Sequence, residues 1–215
     1  MAEILKVSLE SPEPDRIARA AAMIQQGKVI AIPTDTFYGL AADALNPVAV
    51  DQVFAVKGRP ADAPVLLLVD SVEMAVELSG DLPSSFLPLA RRFWPGPLTI
   101  VVEASRRIPP IVTANTGRVG MRLPRAELPR ALVRAVGGPI TATSANRSGE
   151  RESRSAAEVE AALGRLLPLI LDGGPSGAGL PSTVVSLLGN RWELIREGAI
   201  GRAELEEFLG SASGG

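Results

Sequence analysis

IAIPTDTFYGL, at residues 30–40, is the stretch that decides the fold. The β-branched run at residues 29–32 predicts a buried strand, and Pro33 ends that strand because proline cannot donate a ladder hydrogen bond. The hydroxyls of Thr34 and Thr36 and the carboxylate of Asp35 then lie at a strand tip, where open α/β sheets bind their ligands. The stretch therefore predicts a lined pocket, although a capping turn would use the same residue types.

The composition is that of a globular protein. The chain has 215 residues, of which 46% are hydrophobic and 21% are charged. This length and this balance suit one compact α/β domain, which we expect at residues 1–210. The Gly- and Ser-rich residues 211–215 are expected to form a disordered tail.

Two residue types are missing from the chain, and their absence limits its chemistry. Without cysteine there is no disulfide or thiolate metal site, and without histidine the commonest metal ligand and general base is lost. A net charge of −2 argues against a wholly basic nucleic-acid-binding surface but allows a local basic cleft. No apolar run approaches the roughly 20 residues that cross a bilayer, and no signal peptide opens the sequence, so we expect a cytoplasmic protein with no membrane partner.

Helical and strand patterns alternate along the chain. Apolar periodicity, caps and turn residues predict helices at residues 13–26, 46–57, 71–78, 82–93, 128–136, 155–167 and 202–209. Short β-branched or alternating runs predict strands at residues 29–32, 64–69, 98–102, 118–123, 139–143, 169–171, 182–188 and 192–196. The proline-rich residues 105–116 are expected to form a loop beside the cleft.

Polar side chains recur where these strands end. Hydroxyl-bearing tips at residues 34–36, 143–146 and 182–183 accompany four cations, which are Lys57, Arg59, Arg122 and Arg196. Several cations and hydroxyl or amide donors are what a nucleoside triphosphate requires, and a small zwitterion needs an arginine for its carboxylate. The pattern predicts a cationic cleft for a polyanion and a small polar molecule.

Structural explanations of the same residues stay open. Lys57 and Arg59 could simply be cations at a helix C-terminus, which favours positive charge. The alternation of residues 118–123 puts Arg118 and Arg122 on one strand face, as a solvated edge strand would also do. Turn chemistry alone would account for the polar residues 144–149.

Seven short motifs, in their order and spacing, resemble the YrdC-type threonylcarbamoyl-AMP synthases over about residues 15–202. They are PTDTFYGL at residues 33–40, KGRP at 57–60, FWPGPLT at 93–99, GMRLP at 120–124, SAN at 144–146, STVV at 182–185 and IREG at 195–198. The resemblance implies a single-domain, twisted mixed β-sheet flanked by helices, with a large concave cationic cleft. It also implies a nucleotidyltransferase that joins L-threonine, bicarbonate and ATP into threonylcarbamoyl-AMP, with release of pyrophosphate, for the t6A modification of tRNA.

The same resemblance implies a role for each matching residue. L-threonine would be bound by Thr34, Arg122, the Ala142 backbone and Ser182. ATP would be bound by Lys57, Arg59, Ser144, Asn146 and Arg196, with Lys57 and Arg59 the catalytic pair. Mg²⁺ would sit on the pyrophosphate through phosphate oxygens and water, with no metal ligand from protein side chains. Further implied partners are tRNA or double-stranded RNA and the downstream tRNA threonylcarbamoyl transferase proteins.

The chain also departs from the family pattern. Arg118 stands where a threonine is common, Val65 where leucine is usual, and Ser186 where an acid often follows STVV, while residues 150–155 lack the usual proline-containing stretch. We expect the short, single-domain form of the family. An RNA-binding module with the same cleft remains an alternative, as does a carbamoyl-transfer paralogue related to hydrogenase maturation proteins, although such paralogues usually carry zinc fingers and this chain has no cysteine.

Overall fold

The computed structural model describes residues 1–177, 179–188 and 191–210, so the tail expected at residues 211–215 lies outside the described residues. Within those ranges the chain forms seven helices and eleven strands. The helices are α1 (Pro14–Gln25), α2 (Pro47–Lys57), α3 (Val72–Glu77), α4 (Phe86–Phe93), α5 (Glu127–Val136), α6 (Ala156–Leu163) and α7 (Arg202–Leu209). The strands are β1 (Glu3–Lys6), β2 (Ile30–Ile32), β3 (Gly39–Ala41), β4 (Leu67–Leu68), β5 (Leu98–Glu103), β6 (Arg118–Arg122), β7 (Ile140–Thr141), β8 (Thr143–Ser144), β9 (Leu169–Asp172), β10 (Thr183–Leu188) and β11 (Arg191–Arg196). In this part of the chain no helix is both long and apolar enough to span a bilayer.

The strands form two mixed sheets. The five-stranded sheet has the order β1-β9-β2-β3-β8, and the six-stranded sheet has the order β11-β10-β5-β6-β4-β7. Parallel and antiparallel pairs occur in both, since β2 is parallel to β9 and antiparallel to β3, while β5 is parallel to β10 and antiparallel to β6. The expected mixed α/β fold is confirmed, and the single expected sheet is corrected to two.

The correction arises at the strand predicted for residues 139–143. This segment is divided, because β7 pairs with β4 in one sheet while β8 pairs with β3 in the other. Between them, the Ala142 amide donates to the Leu66 carbonyl over 2.9 Å. The chain thus passes from the six-stranded sheet to the five-stranded one and joins them.

The hydrophobic core consists of three clusters. One packs α3, α4 and α7 against the six-stranded sheet, and the other two lie between the five-stranded sheet and the helix pairs α1/α5 and α2/α6. Along β5 the apolar residues Leu98, Ile100 and Val102 enter the first cluster. Because side chains alternate along a strand, Thr99 and Val101 lie on the opposite face. Thr99 and Val101 line the cavity described below, so this face of the six-stranded sheet forms the floor of the site.

Capping residues placed most helix ends as predicted. Asn46 caps α2 by accepting hydrogen bonds from two backbone amides, and Gly58 ends the helix with φ of 63°, which puts Lys57 in its last turn. Helix α6 ends earlier than predicted, at Leu163, because Gly164 is a poor helix former. Strands β1 and β3 were not predicted, and β4 covers only part of the strand expected at residues 64–69.

Candidate functional site

A cavity of about 540 Å³ lies on the face of the six-stranded sheet that carries Thr99 and Val101. Strands β5, β6 and β10 form its floor, and the segments around residues 34–39 and 142–144 form the facing wall. The loop predicted at residues 105–116 consists largely of turns, and its last residue, Thr116, lines the cavity. The cavity is therefore built from the strand tips that the sequence singled out.

Seven of the nine predicted site residues line this cavity, and the other two lie directly behind its wall. The lining residues are Thr34, Arg59, Arg122, Ala142, Ser144, Ser182 and Arg196. Lys57 and Asn146 contact Ser144 or its neighbours and do not themselves line the cavity. One site thus collects residues that are up to 162 positions apart in the chain, from Thr34 to Arg196.

Lys57 is buried, with 4% of its surface exposed. Its Nζ donates to the Ser144 carbonyl over 2.6 Å, to the Asn146 carbonyl over 3.2 Å and to Asn146 Oδ1 over 3.1 Å. Burial, with help from the nearby Arg59 charge, lowers the pKa of the Lys57 ammonium to about 8, and Glu152 opposes this shift. Lys57 is therefore not a solvated cation at a helix end, because it ties α2 to the loop that carries Ser144.

Arg122 is also buried, and its guanidinium is held from three sides. Its Nε donates to the Gly96 carbonyl over 3.1 Å, Nη1 donates to Thr36 Oγ1 over 2.9 Å, and Nη2 forms an ion pair with Asp35. Burial lowers the pKa of the Arg122 guanidinium, and the Asp35 carboxylate opposes that shift. Strand β6 lies between β5 and β4, so the edge-strand interpretation of its arginines is wrong.

The turn at residues 34–37 serves structure and site together. Thr34 Oγ1 donates to the Phe37 carbonyl over 2.7 Å and accepts from the Thr36 amide over 3.1 Å. This is the turn chemistry expected of a threonine at a strand end. The same residue lines the cavity, so the two interpretations of this stretch do not exclude each other.

Ser182 and Arg196 meet at the start of β10. Arg196 Nε and Nη2 donate to the Ser182 carbonyl over 3.2 and 2.8 Å, and Nη2 also approaches Ser182 Oγ at 3.2 Å. Ser182 Oγ lies 2.9 Å from Thr99 Oγ1. These contacts fix the Arg196 guanidinium at one end of the cavity.

Several lining residues were missed by sequence reasoning. Thr99 had a usable signal, because it is a lone hydroxyl residue in the apolar β5 and lies on the face opposite the core. Thr36 was predicted to lie at the lined pocket but was not assigned a ligand contact, and its hydroxyl accepts a hydrogen bond from Arg122. Glu152 and Glu193 line the cavity and had no signal, because neither belongs to a patterned polar motif.

Positive side chains outnumber negative ones around the cavity. Four arginines line it, which are Arg59, Arg118, Arg122 and Arg196, against the two carboxylates of Glu152 and Glu193. Asp35 additionally balances Arg122. Arginine donors together with hydroxyl groups suit a ligand that carries anionic oxygens.

The chain is similar in sequence to known proteins. The Sua5/YciO/YrdC family model, described as "Telomere recombination", matches residues 22–198. The threonylcarbamoyl-AMP synthase of Pyrococcus abyssi is 38% identical over 201 residues, which are 94% of this chain and 59% of that protein. The threonylcarbamoyl-AMP synthase of Bacillus subtilis is likewise 38% identical, over 93% of this chain and 58% of that protein.

A solved structure extends the likeness to three dimensions. The crystal structure of P. abyssi Sua5 complexed with L-threonine matches with a TM-score of 0.94 and 37% sequence identity, over 98% of this chain and 62% of that one. The chain therefore spans about three fifths of the length of these relatives. Since the family model covers well over half of the 215 residues, the chain belongs to the Sua5/YciO/YrdC family.

Proposed function

We propose that this chain is an L-threonylcarbamoyladenylate synthase, a nucleotidyltransferase that joins L-threonine, bicarbonate or CO₂ and ATP and releases pyrophosphate. One observation carries the proposal: seven predicted ligand-contacting residues from distant parts of the chain line a single cavity. Support comes from P. abyssi Sua5, which binds L-threonine and shares this fold at 37% identity. The product would serve the t6A modification of tRNA.

The amino acid would lie against the most deeply buried cation. Arg122 offers a guanidinium whose orientation is fixed by Asp35 and Thr36, and a fixed planar guanidinium suits a carboxylate. Ser182 and Thr34 would add hydroxyl contacts at the same end. The Ala142 amide is already donated to the Leu66 carbonyl, so the carbonyl oxygen is the backbone group that Ala142 can offer.

The triphosphate would lie against the remaining cations. Arg59 and Arg196 line the cavity and can donate to phosphate oxygens. Lys57 and Asn146 would act here chiefly by holding Ser144, because Lys57 Nζ donates to the Ser144 carbonyl and to Asn146, and Asn146 Nδ2 donates to the Glu150 carbonyl. Arg118 adds a further cation at the rim, in a position where many family members carry a threonine.

The reaction would need no protein nucleophile, in keeping with a chain that lacks histidine and cysteine. The threonine amine would add to CO₂ with loss of a proton, or to bicarbonate with loss of water, to give a carbamate. A carbamate oxygen would then attack the α-phosphorus and displace pyrophosphate. The protein would align the two substrates and neutralise charge on the phosphates. Mg²⁺ would be held by phosphate oxygens and water, because no group of three or more acidic side chains fit to hold a metal occurs among the described residues.

Pyrophosphate release tests the proposal directly. We expect release that requires L-threonine, bicarbonate and ATP together and that stops when any one is omitted. Release no faster than in a blank without protein would refute the synthase. Binding of tRNA with a steep salt dependence, in the absence of ATP binding, would instead support the RNA-binding alternative.

Two further features follow from the proposed role. We place residues 1–210 in one domain, because backbone hydrogen bonds of Thr141 and Ala142 connect the two sheets and residues of both sheets line a single cavity. A tRNA-modifying enzyme would act in the cytoplasm, with tRNA and the downstream threonylcarbamoyl transferase proteins as its partners. Transfer of the threonylcarbamoyl group to tRNA in a reaction reconstituted with those proteins would test this.

A further inference from the structure

Two buried hydroxyl groups and a guanidinium form a short chain of contacts at the floor of the cavity. Ser182 Oγ lies 2.9 Å from Thr99 Oγ1 and 3.2 Å from Arg196 Nη2. Ser182 and Thr99 are each 4% exposed, and all three residues line the cavity. Thr99 belongs to β5 and pairs with Val184 of the adjacent β10, so the distance between the hydroxyls is set by the sheet.

The number of protons and lone pairs restricts how these groups can bond. A hydroxyl has one proton and two lone pairs, whereas a guanidinium can only donate. Arg196 therefore occupies one lone pair of Ser182 Oγ. Among the residues that the structure describes, the Thr99 hydroxyl has no hydrogen-bond partner other than Ser182.

Two hydrogen-bond arrangements of Thr99 and Ser182 satisfy this number of protons and lone pairs, and the charge of the ligand determines which one forms. If Ser182 donates to Thr99, Ser182 presents only a lone pair to the cavity, which repels an anionic oxygen. If Thr99 donates to Ser182, both lone pairs of Ser182 are filled and its proton is left for the ligand. A cavity lined by four arginines is built for anionic oxygens, so an anionic ligand selects the second arrangement.

We propose that Thr99 is a positioning residue. Its hydroxyl and the Arg196 guanidinium both donate to Ser182 Oγ, so that Ser182 donates its own proton to a carboxylate oxygen of the bound amino acid. The inference rests on the proposed function, because it assigns a polarised hydrogen-bond donor to the amino-acid end of that site. Thr99 itself does not need to touch the ligand. Its effect passes through Ser182, and this distinguishes it from a residue that only shapes the floor.

Thr99→Val tests the assignment, because valine keeps the branched shape and removes the hydroxyl. We expect the KM for L-threonine to rise about tenfold with kcat little changed, since a hydrogen bond to a charged group is weakened. Thr99→Ser, which keeps the hydroxyl, should bring KM back towards the wild-type value. An unchanged KM in Thr99→Val would overturn the proposal.

A double-mutant cycle shows whether Thr99 acts through Ser182. If it does, Thr99→Val in a Ser182→Ala background adds no further rise in KM, whereas two independent increases that multiply would overturn the assignment. L-threoninol, which has a CH₂OH group in place of the carboxylate, provides a second comparison. Its inhibition constant should change less than about twofold in Thr99→Val, and a tenfold change would indicate a merely structural role.

Calorimetric binding of L-threonine without ATP separates this proposal from the proposed function. Wild-type protein that binds L-threonine but releases no pyrophosphate would refute the synthase, and Thr99→Val would still be expected to bind about tenfold more weakly. Wild-type protein that fails to bind L-threonine would overturn both. Should Thr99→Val not fold, Thr99→Ala removes the same hydroxyl without a larger side chain, and the same expectations apply to it.

Discussion

At the scale of single residues, Lys57 carries its charge behind the cavity wall and not on it. Its ammonium lies within hydrogen-bond distance of four oxygens of Ser144 and Asn146, to which it can donate three protons, whereas a neutral amine could donate only two and carries no charge. The pKa of about 8 puts the loss of that charge within an accessible pH range. The position of Ser144 should therefore depend on pH.

We predict that ATP affinity falls as the pH rises through about 8. Lys57 is protonated below this pH, and above it Lys57 loses the charge and one of the protons with which it holds Ser144 and Asn146. ATP binding measured by calorimetry without L-threonine checks this, since the threonine amine also titrates at alkaline pH. Lys57→Arg keeps its proton throughout and should give a flat profile. An identical decrease in Lys57→Arg would show that another group is responsible.

Arg59 differs from Lys57 because it reaches the cavity. Its Nη2 donates to the Ala63 carbonyl over 3.2 Å, and its guanidinium lies 5.3 Å from the centre of the Phe54 ring. We predict that Arg59→Ala lowers kcat/KM about 100-fold or more, because a phosphate contact is lost. The Tm should fall only slightly, since a partly exposed cation–π contact contributes about 0.5–1 kcal/mol.

Arg59→Lys is the matched control for this substitution. Lysine keeps the charge but loses the planar pair of donors, so we expect intermediate activity. Pyrophosphate release and thermal unfolding measured on the same preparations distinguish the cases. Wild-type turnover in a folded Arg59→Ala protein would show that Arg59 makes no phosphate contact that the reaction needs.

Residue types and motifs predicted residues that the structure brings together around one cavity, but they did not predict which of these side chains line it. Lys57 and Arg59 are two positions apart in one motif, yet only Arg59 lines the cavity. The difference arises from long-range contacts, since Lys57 meets Ser144, which is 87 positions away. Thr99 is a different case, because the motif that contains it does not indicate its orientation, whereas the alternation of side chains along β5 puts it on the face opposite the core.

At the scale of elements, α2 ends at Lys57 and thereby positions both Lys57 and Arg59, which follows two residues later. The side chain of Asn46 fixes the start of this helix. Asn46 Oδ1 accepts from the amides of Val48 and Ala49 over 3.0 and 3.3 Å. We predict that Asn46→Ala lowers the free energy of unfolding by about 1 kcal/mol, because two amides of the first turn lose their acceptor. Urea unfolding monitored by circular dichroism measures the change.

The start of α4 offers a control for that measurement. Ser85 stands at the cap position of α4 but makes no side-chain capping hydrogen bond. Ser85→Ala should therefore change the free energy of unfolding by less than about 0.5 kcal/mol. Equal losses in the two variants would mean that the capping bonds of Asn46 do not stabilise the fold.

Elements with local signals were predictable, and elements made by pairing were not. Asn46, Pro47 and Gly58 mark both ends of α2, and the structure places the helix between them. Strand β1 has no apolar alternation, and its residues are mostly exposed. It is a strand because it pairs in parallel with β9, more than 160 positions away, and no pattern within four residues encodes that partner.

At the scale of the whole molecule, the site depends on how the two sheets are joined. Thr141 forms the connection between the sheets, which we call the joint. Its Oγ1 donates to the Leu40 carbonyl over 2.9 Å and accepts from the Ala42 amide over 3.0 Å. Its own amide donates to the Ala42 carbonyl over 2.9 Å. Three residues later the same segment presents Ser144 to the cavity, so the segment that connects the two sheets also forms part of the cavity wall.

We predict that Thr141→Val lowers the free energy of unfolding by about 1–3 kcal/mol, because the buried Ala42 amide and Leu40 carbonyl lose a partner that water cannot replace. Thr141→Ser keeps the hydroxyl and should lose less. Because the joint holds both sheets, urea unfolding followed by the fluorescence of Trp94 and Trp192, both on the six-stranded side, should shift together with far-ultraviolet circular dichroism, which reports on both sheets. If Thr141→Val left the tryptophan transition at its wild-type midpoint while the dichroism shifted, the sheets would be unfolding separately and the cavity between them would lack a rigid frame.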